Sequence, residues 1–290
     1  MLTQERIIAE AKAAGFAEAA LARARGGADA GRPVLVTAWP YLRAGEYGPM
    51  RISSFYLASQ KAYLALSALE KRLNAAGLPA RRSGELALKP LALACGFGVL
   101  GRNSLVIHER YGAQMVLGGL VLDLDLQVPQ MRPVRVCADC GACRVACPGQ
   151  ALEDFARLER PRCLRAHMLA QGARPKEMRA AFESRLLGCD GCIESCPMNE
   201  GLTKPGPDEG LPELLDILEG DEAAFKALKE AVGSNFARKG RILAQALLVA
   251  GNSGDARYLE AARALTVHED EAIAEHALWC AERLQNAPKA

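Results

Sequence analysis

The sequence has little of what marks a membrane protein, a strongly basic nucleic-acid binder or a histidine-ligated metal enzyme. Across its 290 residues no apolar run reaches the roughly 18 that a spanning helix needs, and the segment LALACGFGVLG is short and broken by glycine. Charge of one sign is also lacking. Against 36 Lys and Arg stand 34 Asp and Glu, a net of +2, so a polyanion would have to be drawn by a local patch and not by a global field. Histidines number four, His108, His167, His268 and His276; none has metal-ligand spacing, and surface or capping roles are expected. The start, MLTQERIIAEAKAAGFAEAA, has charge and amphipathicity but no apolar export core, which predicts a cytoplasmic protein with reduced thiols and no membrane association.

What the chain does have is cysteine in one place. Eight of its ten cysteines fall within 60 residues, as Cys137, Cys140, Cys143 and Cys147, then Cys163, Cys189, Cys192 and Cys196. The run CADCGACRVACP is the C-x2-C-x2-C-x3-C-P pattern of two-cluster ferredoxins, in which three thiolates hold one [4Fe-4S] cube and the fourth crosses to the other. The second run, CDGCIESCP, lacks its first cysteine, and Cys163 is the nearby thiol able to replace it. The expected ligand sets are therefore Cys137, Cys140, Cys143 and Cys196 for one cluster, and Cys147, Cys163, Cys189 and Cys192 for the other. Pro148 and Pro197 stiffen the chain after each run. Zinc and disulfide frameworks are weaker alternatives: zinc does not call for the third close cysteine and the C-P ending, and disulfide scaffolds belong to short secreted chains.

Periodicity divides the rest. Residues 3 to 14 read as an amphipathic helix stopped by Gly15, and PVLVTAW (33 to 39) as a buried strand. Ser53 or Ser54 caps a long helix with Tyr63, Leu66, Leu69 and Leu73 on its apolar face, ending at Gly77. A further helix, a glycine-rich turn and two strand-like segments follow. The expected class is α+β: a mixed α/β domain over 1–133, a two-cluster ferredoxin-like module over 134–200, and an α-helical, HEAT-like repeat over 201–290. The stretch NEGLTKPGPDEGLP reads as a linker, and five short amphipathic helices follow it.

Taken together, PVLVTAWPY, GFGVLGRNSLVI, the strand pair ending LDLDL, the paired cysteine motifs around Cys163, LLGCDGCIESCPMN and the tail segments FARKGRILAQALL and EAIAEHALWCAERL resemble the epoxyqueuosine reductase-like family. The resemblance runs over roughly residues 31 to 285. It implies cobalamin held over the N-terminal domain, electrons passed through two clusters, a low-potential donor such as flavodoxin or ferredoxin, and a modified base in transfer RNA as substrate. One departure is chemical. The family pattern V-D-T-G followed by E-x-x-x-A-x-x-A-G corresponds here to RRSGELALKPLALACG, and the family's proton-donating aspartate falls on Arg82. A guanidinium does not give up its proton near neutral pH.

With the resemblance, Gly96, Gly98, Gly101, Arg102 and Asn103 become expected lining of a cofactor site; without it, a glycine turn between helix and strand is the ordinary reading. Glu85 and Asp123 are the candidate replacement acids. Their bland readings are an i, i+4 ion pair with Lys89 for the first and an edge charge, shared with Asp125, for the second. Cys95 and Cys280 read as small buried hydrophobes. Arg238, Lys239 and Arg241, at a helix start, are expected to meet RNA phosphates. Two functions stand: an iron–sulfur reductase acting on a modified base in transfer RNA, and a related redox enzyme or electron carrier that acts elsewhere because Arg82 replaces the acid.

Overall fold

The computed structural model describes residues 3–45, 48–128, 137–206, 208 and 210–287. Helix α1 (Thr3–Ala13) leads to β1 (Glu18–Arg23) and β2 (Pro33–Pro40); short strands β3 (Arg43–Ala44) and β4 (Arg51–Ile52) precede the long helix α2 (Ser54–Ala75). Then come β5 (Ala80–Arg81), α3 (Leu88–Ala94), the hairpin of β6 (Val99–Leu100) and β7 (Val106–Ile107), and β8 (Met115–Leu122). The cysteine region carries α4 (Ala142–Val145), α5 (Leu164–Leu169), β9 (Arg185–Leu187) and α6 (Gly191–Glu194). After β10 (Thr203–Lys204) the described chain is helical: α7 (Leu214–Leu218), α8 (Glu222–Val232), α9 (Lys239–Ser253), α10 (Leu259–Ala264) and α11 (Glu271–Gln285). The class is α+β.

Strand β2 is buried along its first six residues because it is central: β1 and β8 flank it, both antiparallel, and β5 closes the order β1-β2-β8-β5. Alternation at period two splits its side chains between two cores. Leu35 joins Ile7, Phe16, Leu66, Leu69, Leu73 and Leu120 under α1 and α2, while Val34 and Val36 meet Leu91, Ala92 and Phe97 around α3. Helix α2 begins where Ser53 Oγ accepts the Phe55 N–H and ends before Gly77, which turns the chain at φ +72°. A third core collects α7 to α11 around Phe225, Leu228, Leu247 and Ala277, and reaches back to Ile52, Tyr56, Leu186 and Leu187.

Several expectations change. Residues 18–23 form a strand that the alanine-rich EAALAR does not announce; pairing of all six with β2 overrides a weak local preference. Tyr63 is not on the buried face of α2 but half exposed. The glycine- and proline-rich stretch after Cys196 is more than a linker: Thr203 and Lys204 pair in parallel with β3, and Asp208 accepts from Ser54 Oγ at 2.9 Å. The boundary drawn at 133/134 lies outside the described residues.

His276 is also different from expectation, being fully buried with both ring nitrogens engaged. Nε2 accepts the Arg174 N–H at 2.8 Å, so Nδ1 carries the proton toward the Ala244 carbonyl, also at 2.8 Å. Burial drives its pKa down to about 4. An unfolded chain protonates this ring below about 6.5 while the folded one does not until about 4, so stability falls as pH falls across that window, by on the order of 1 kcal/mol between about pH 7.5 and 5.5. Urea unfolding at those two pH values should show a gap that shrinks in His276→Gln; an identical gap in both proteins would refute the assignment.

Candidate functional site

The two cysteine motifs meet because α4 and α6 pack against one another. Gly141, at φ +78°, turns the chain into α4. A side chain at Gly191 would come within 2.9 Å of the Ala146 carbonyl, and one at Gly149 within 1.8 Å of the Arg162 carbonyl, so both positions need glycine for the two loops to close. One cavity is lined by Cys137, Cys140, Cys143 and Cys196 together with Arg102, Asn103 and Met198. Cys192 lies close enough to Cys147, Cys163 and Cys189 to feel their charge, and Cys189 likewise feels Cys163. The four thiols of the first expected set thus line one cavity, and Cys147, Cys163 and Cys189 of the second lie within electrostatic reach of Cys192.

Their electrostatics suit a cationic guest. Burial first, and then neighbouring sulfurs, push Cys143, Cys192 and Cys196 upward; Cys189 rises mainly through burial. Four such thiols become thiolates together only around positive charge, which an iron–sulfur core provides. Among the described residues no three ligating side chains close tightly enough for a single ion. Between Cys189 and Cys192, Asp190 is buried, accepts from Ser53 Oγ at 2.8 Å and is shifted upward by that burial. Cys95 and Cys280 stand apart as buried thiols raised to about 12.

The second element of the site is an open groove of about 510 Å³. Its floor is Gly118 and Gly119 of β8, where a side chain would strike Thr37, Leu86 and Leu88. Its walls include Tyr63 and Leu66 of α2, Arg82, Leu88 of α3 and Phe236. No cysteine lines the groove, but residues beside two of its walls feel the charge of the second set of thiols. Lys89, next to Leu88, lies near Cys192 and donates to the Ser104 carbonyl. Phe236 meets the Tyr56 ring edge-on at 4.8 Å, and Tyr56, which accepts from Arg165 Nε at 3.1 Å, feels the charge of Cys163.

The other singled-out residues fall as follows. Arg82 faces the groove, over the Tyr63 ring at 4.9 Å, paired with Glu70 at 2.9 Å and donating to Ser67 Oγ at 3.1 Å. Glu85 and Asp123 are not in its lining: Glu85 accepts the Ala28 N–H at 2.9 Å, without pairing to Lys89, and Asp123 pairs with Arg32 at 2.6 Å and Arg81 at 3.5 Å. Gly98 and Gly101 press on Ile107 within their own hairpin. Arg102 pairs with Asp139 and Asn103 donates to the Cys192 carbonyl at 3.3 Å, so these two serve the cysteine cavities and not the groove. Gly96 turns the chain after α3 at φ +76°. Arg238 and Arg241 share a separate cavity, whereas Lys239 pairs with Glu222 at 2.6 Å. The groove itself had one legible signal, a glycine pair inside the apolar strand MVLGGLVL, which marks a close approach.

Comparison with known proteins gives three findings. Residues 136–199 match a family described as a 4Fe-4S double cluster binding domain. Epoxyqueuosine reductase of Lactococcus garvieae is 30% identical over 213 residues, 70% of this chain and 60% of that protein; the enzyme of Shewanella oneidensis is 33% identical over 66% of this chain and 51% of that protein. The chain thus spans between half and three-fifths of the length of these relatives. Among solved structures, epoxyqueuosine reductase from Streptococcus thermophilus superposes with a TM-score of 0.79 at 22% identity, covering all of this chain and 92% of that one. An epoxyqueuosine reductase with a modified tRNA-Tyr stem loop gives 0.80 at 21%, over 97% and 89%.

Proposed function

We propose that this chain, which belongs to the epoxyqueuosine reductase-like family, is an iron–sulfur reductase acting on a modified base that a transfer RNA presents to the groove. The observation that carries the reading is an apolar groove with a glycine floor whose walls Leu88 and Phe236 adjoin Lys89 and Tyr56, two residues that feel the charge of Cys192 and Cys163. Cys137, Cys140, Cys143 and Cys196 would hold one [4Fe-4S] cluster, and Cys147, Cys163, Cys189 and Cys192 the other. When bound, such clusters supply one-electron transfer at low potential.

The chain's own residues do the remainder. Gly118 and Gly119 give a flat floor, and Leu66, Leu86, Leu88, Val116 and Phe236 give apolar walls, a fit for the planar face of a base or of the corrin that the resemblance adds. Arg82 lines the groove with its guanidinium paired to Glu70. Among the described lining residues there is no carboxylate, which favours a second reading: a redox enzyme of the same build that takes an anionic substrate and not epoxyqueuosine. We further read 134–200 as a ferredoxin-like module, the C-terminal helices as HEAT-like, the donor as a flavodoxin or ferredoxin, and the location as cytoplasmic. No helix among the described residues is long and apolar enough to cross a membrane.

Binding of a transfer RNA stem loop should weaken steeply as salt rises, and weaken again in Arg238→Ala and Arg241→Ala, while Lys239→Ala, already neutralised by Glu222, should change it little. In parallel, protein mixed anaerobically with cobalamin should keep a corrin spectrum through size exclusion. Loss of all corrin together with salt-insensitive RNA binding would remove this reading in favour of the second.

A further inference from the structure

Between the loop at 170–174 and the starts of α9 and α11 lies a cavity of about 380 Å³, separate from the groove and lined by three arginines, Arg174, Arg238 and Arg241. Arg174 is 2% exposed. Its Nη1 donates to the Gly172 carbonyl, but its buried Nε has no partner. The bond from its backbone N–H to His276 fixes the arginine over the cavity. Arg241 donates to the Asn235 carbonyl at 3.3 Å, and Arg238 begins α9 without capping its first-turn N–H groups through a side chain. One carboxylate, Asp270, belongs to the lining, and it accepts the N–H groups of Ala272 at 2.9 Å and Ile273 at 3.3 Å as the cap of α11.

Three arginines, Arg174 buried, Arg241 half-buried and Arg238 exposed, face one carboxylate that is already engaged, an arrangement suited to an anion. Burial lowers Arg174 to about 10, and Arg241 beside it pushes the same way; Arg241 is itself lowered by burial and then by Arg238. A buried charge without a counter-charge is costly. The 15-residue helix α9 points its positive end into the same space through Gly240, and planar guanidinium groups match an oxoanion with paired N–H donors. We propose that this cavity is a binding pocket for a single phosphate group, with Arg174, Arg241 and Arg238 as its ligands. Assigning that phosphate to the RNA backbone rests on the function proposed above, whereas the pocket itself does not.

Inorganic phosphate tests it directly on the cluster-loaded protein. It should raise the melting temperature of the wild type. Arg174→Gln should melt higher than wild type in phosphate-free buffer and lose the phosphate response, since it removes an unbalanced buried charge; a merely structural arginine would leave the variant less stable in both buffers. Gly240→Asp keeps Arg174 and places an anion in the cavity, where an added Cβ meets nothing nearer than 3.9 Å, so it too should abolish the response. An anticodon stem loop carrying one neutral methylphosphonate at a time then identifies the source. One position that weakens wild-type binding about tenfold, and does not weaken Arg174→Gln further, assigns the phosphate to RNA. A phosphate response with RNA affinity untouched by either variant assigns a free phosphate. No phosphate response and no effect of either variant on RNA binding would overturn the pocket.

Discussion

A Cys163→Ala variant, purified without air, is expected to hold about four iron atoms per chain in place of about eight. The size of the effect follows from the sorting of the thiols. Cys163 lies near Cys189 and Cys192, with 25 residues between it and Cys189, and is supplied by the turn into α5 and not by the C-x2-C run. Without it the quartet has three sulfurs, while Cys137, Cys140, Cys143 and Cys196 keep four around a separate cavity. Cys140→Ala should give the mirror result, sparing the cluster of Cys147, Cys163, Cys189 and Cys192. Iron analysis with the visible spectrum separates the cases: full iron in Cys163→Ala would remove this residue from the ligand set, and complete loss in both variants would mean that the two sites assemble as one.

Arg82→Asp is expected to raise epoxyqueuosine reduction by about 10² or more, the lower range of what a positioned acid contributes. The position is suited to one. A carboxyl there would face the groove beside Glu70, and two neighbouring carboxylates raise one another's pKa, which keeps a proton available near neutral pH. Arg82→Asn separates proton donation from the mere removal of a cation. It loses the pairing with Glu70 and the contact over Tyr63 as the Asp variant does, but has no acid to offer. If the Asn variant gains as much as the Asp variant, the cation was only an obstruction; if wild type already turns over at the rate of the Asp variant, another group donates the proton.

How far residues alone lead depends on whether a feature is local. Strand β2, helix α2 with its Ser53 cap and the terminal helices were legible because their apolar periods lie within one segment. The double-cluster character of the cysteine region was legible because the motif's spacing is itself the signal. Long-range decisions were not. EAALAR becomes a strand because β2 needs a partner, Tyr63 turns outward because a groove opens there, and Glu85 and Asp123 are taken up by the 23–32 region, a contact 57 residues away for Glu85 and Ala28. Arg174 looks like an ordinary surface arginine in QGARPKEM, and only the convergence of two helix starts on its loop makes it a buried charge.

Helix α2 belongs to two cores at once: Tyr56 at its beginning packs with the terminal helices, and Leu66, Leu69 and Leu73 further along pack with the sheet. A rod shared in this way transmits loosening from one end to the other. Heating should therefore melt the sheet and the terminal helices in a single cooperative transition, and trimming the chain after residue 200 would uncover Tyr56 and Ile52 instead of leaving a tidy smaller protein. The boundaries that composition suggests are places where the sequence changes character, and a single transition would mean that they are not seams along which the molecule comes apart.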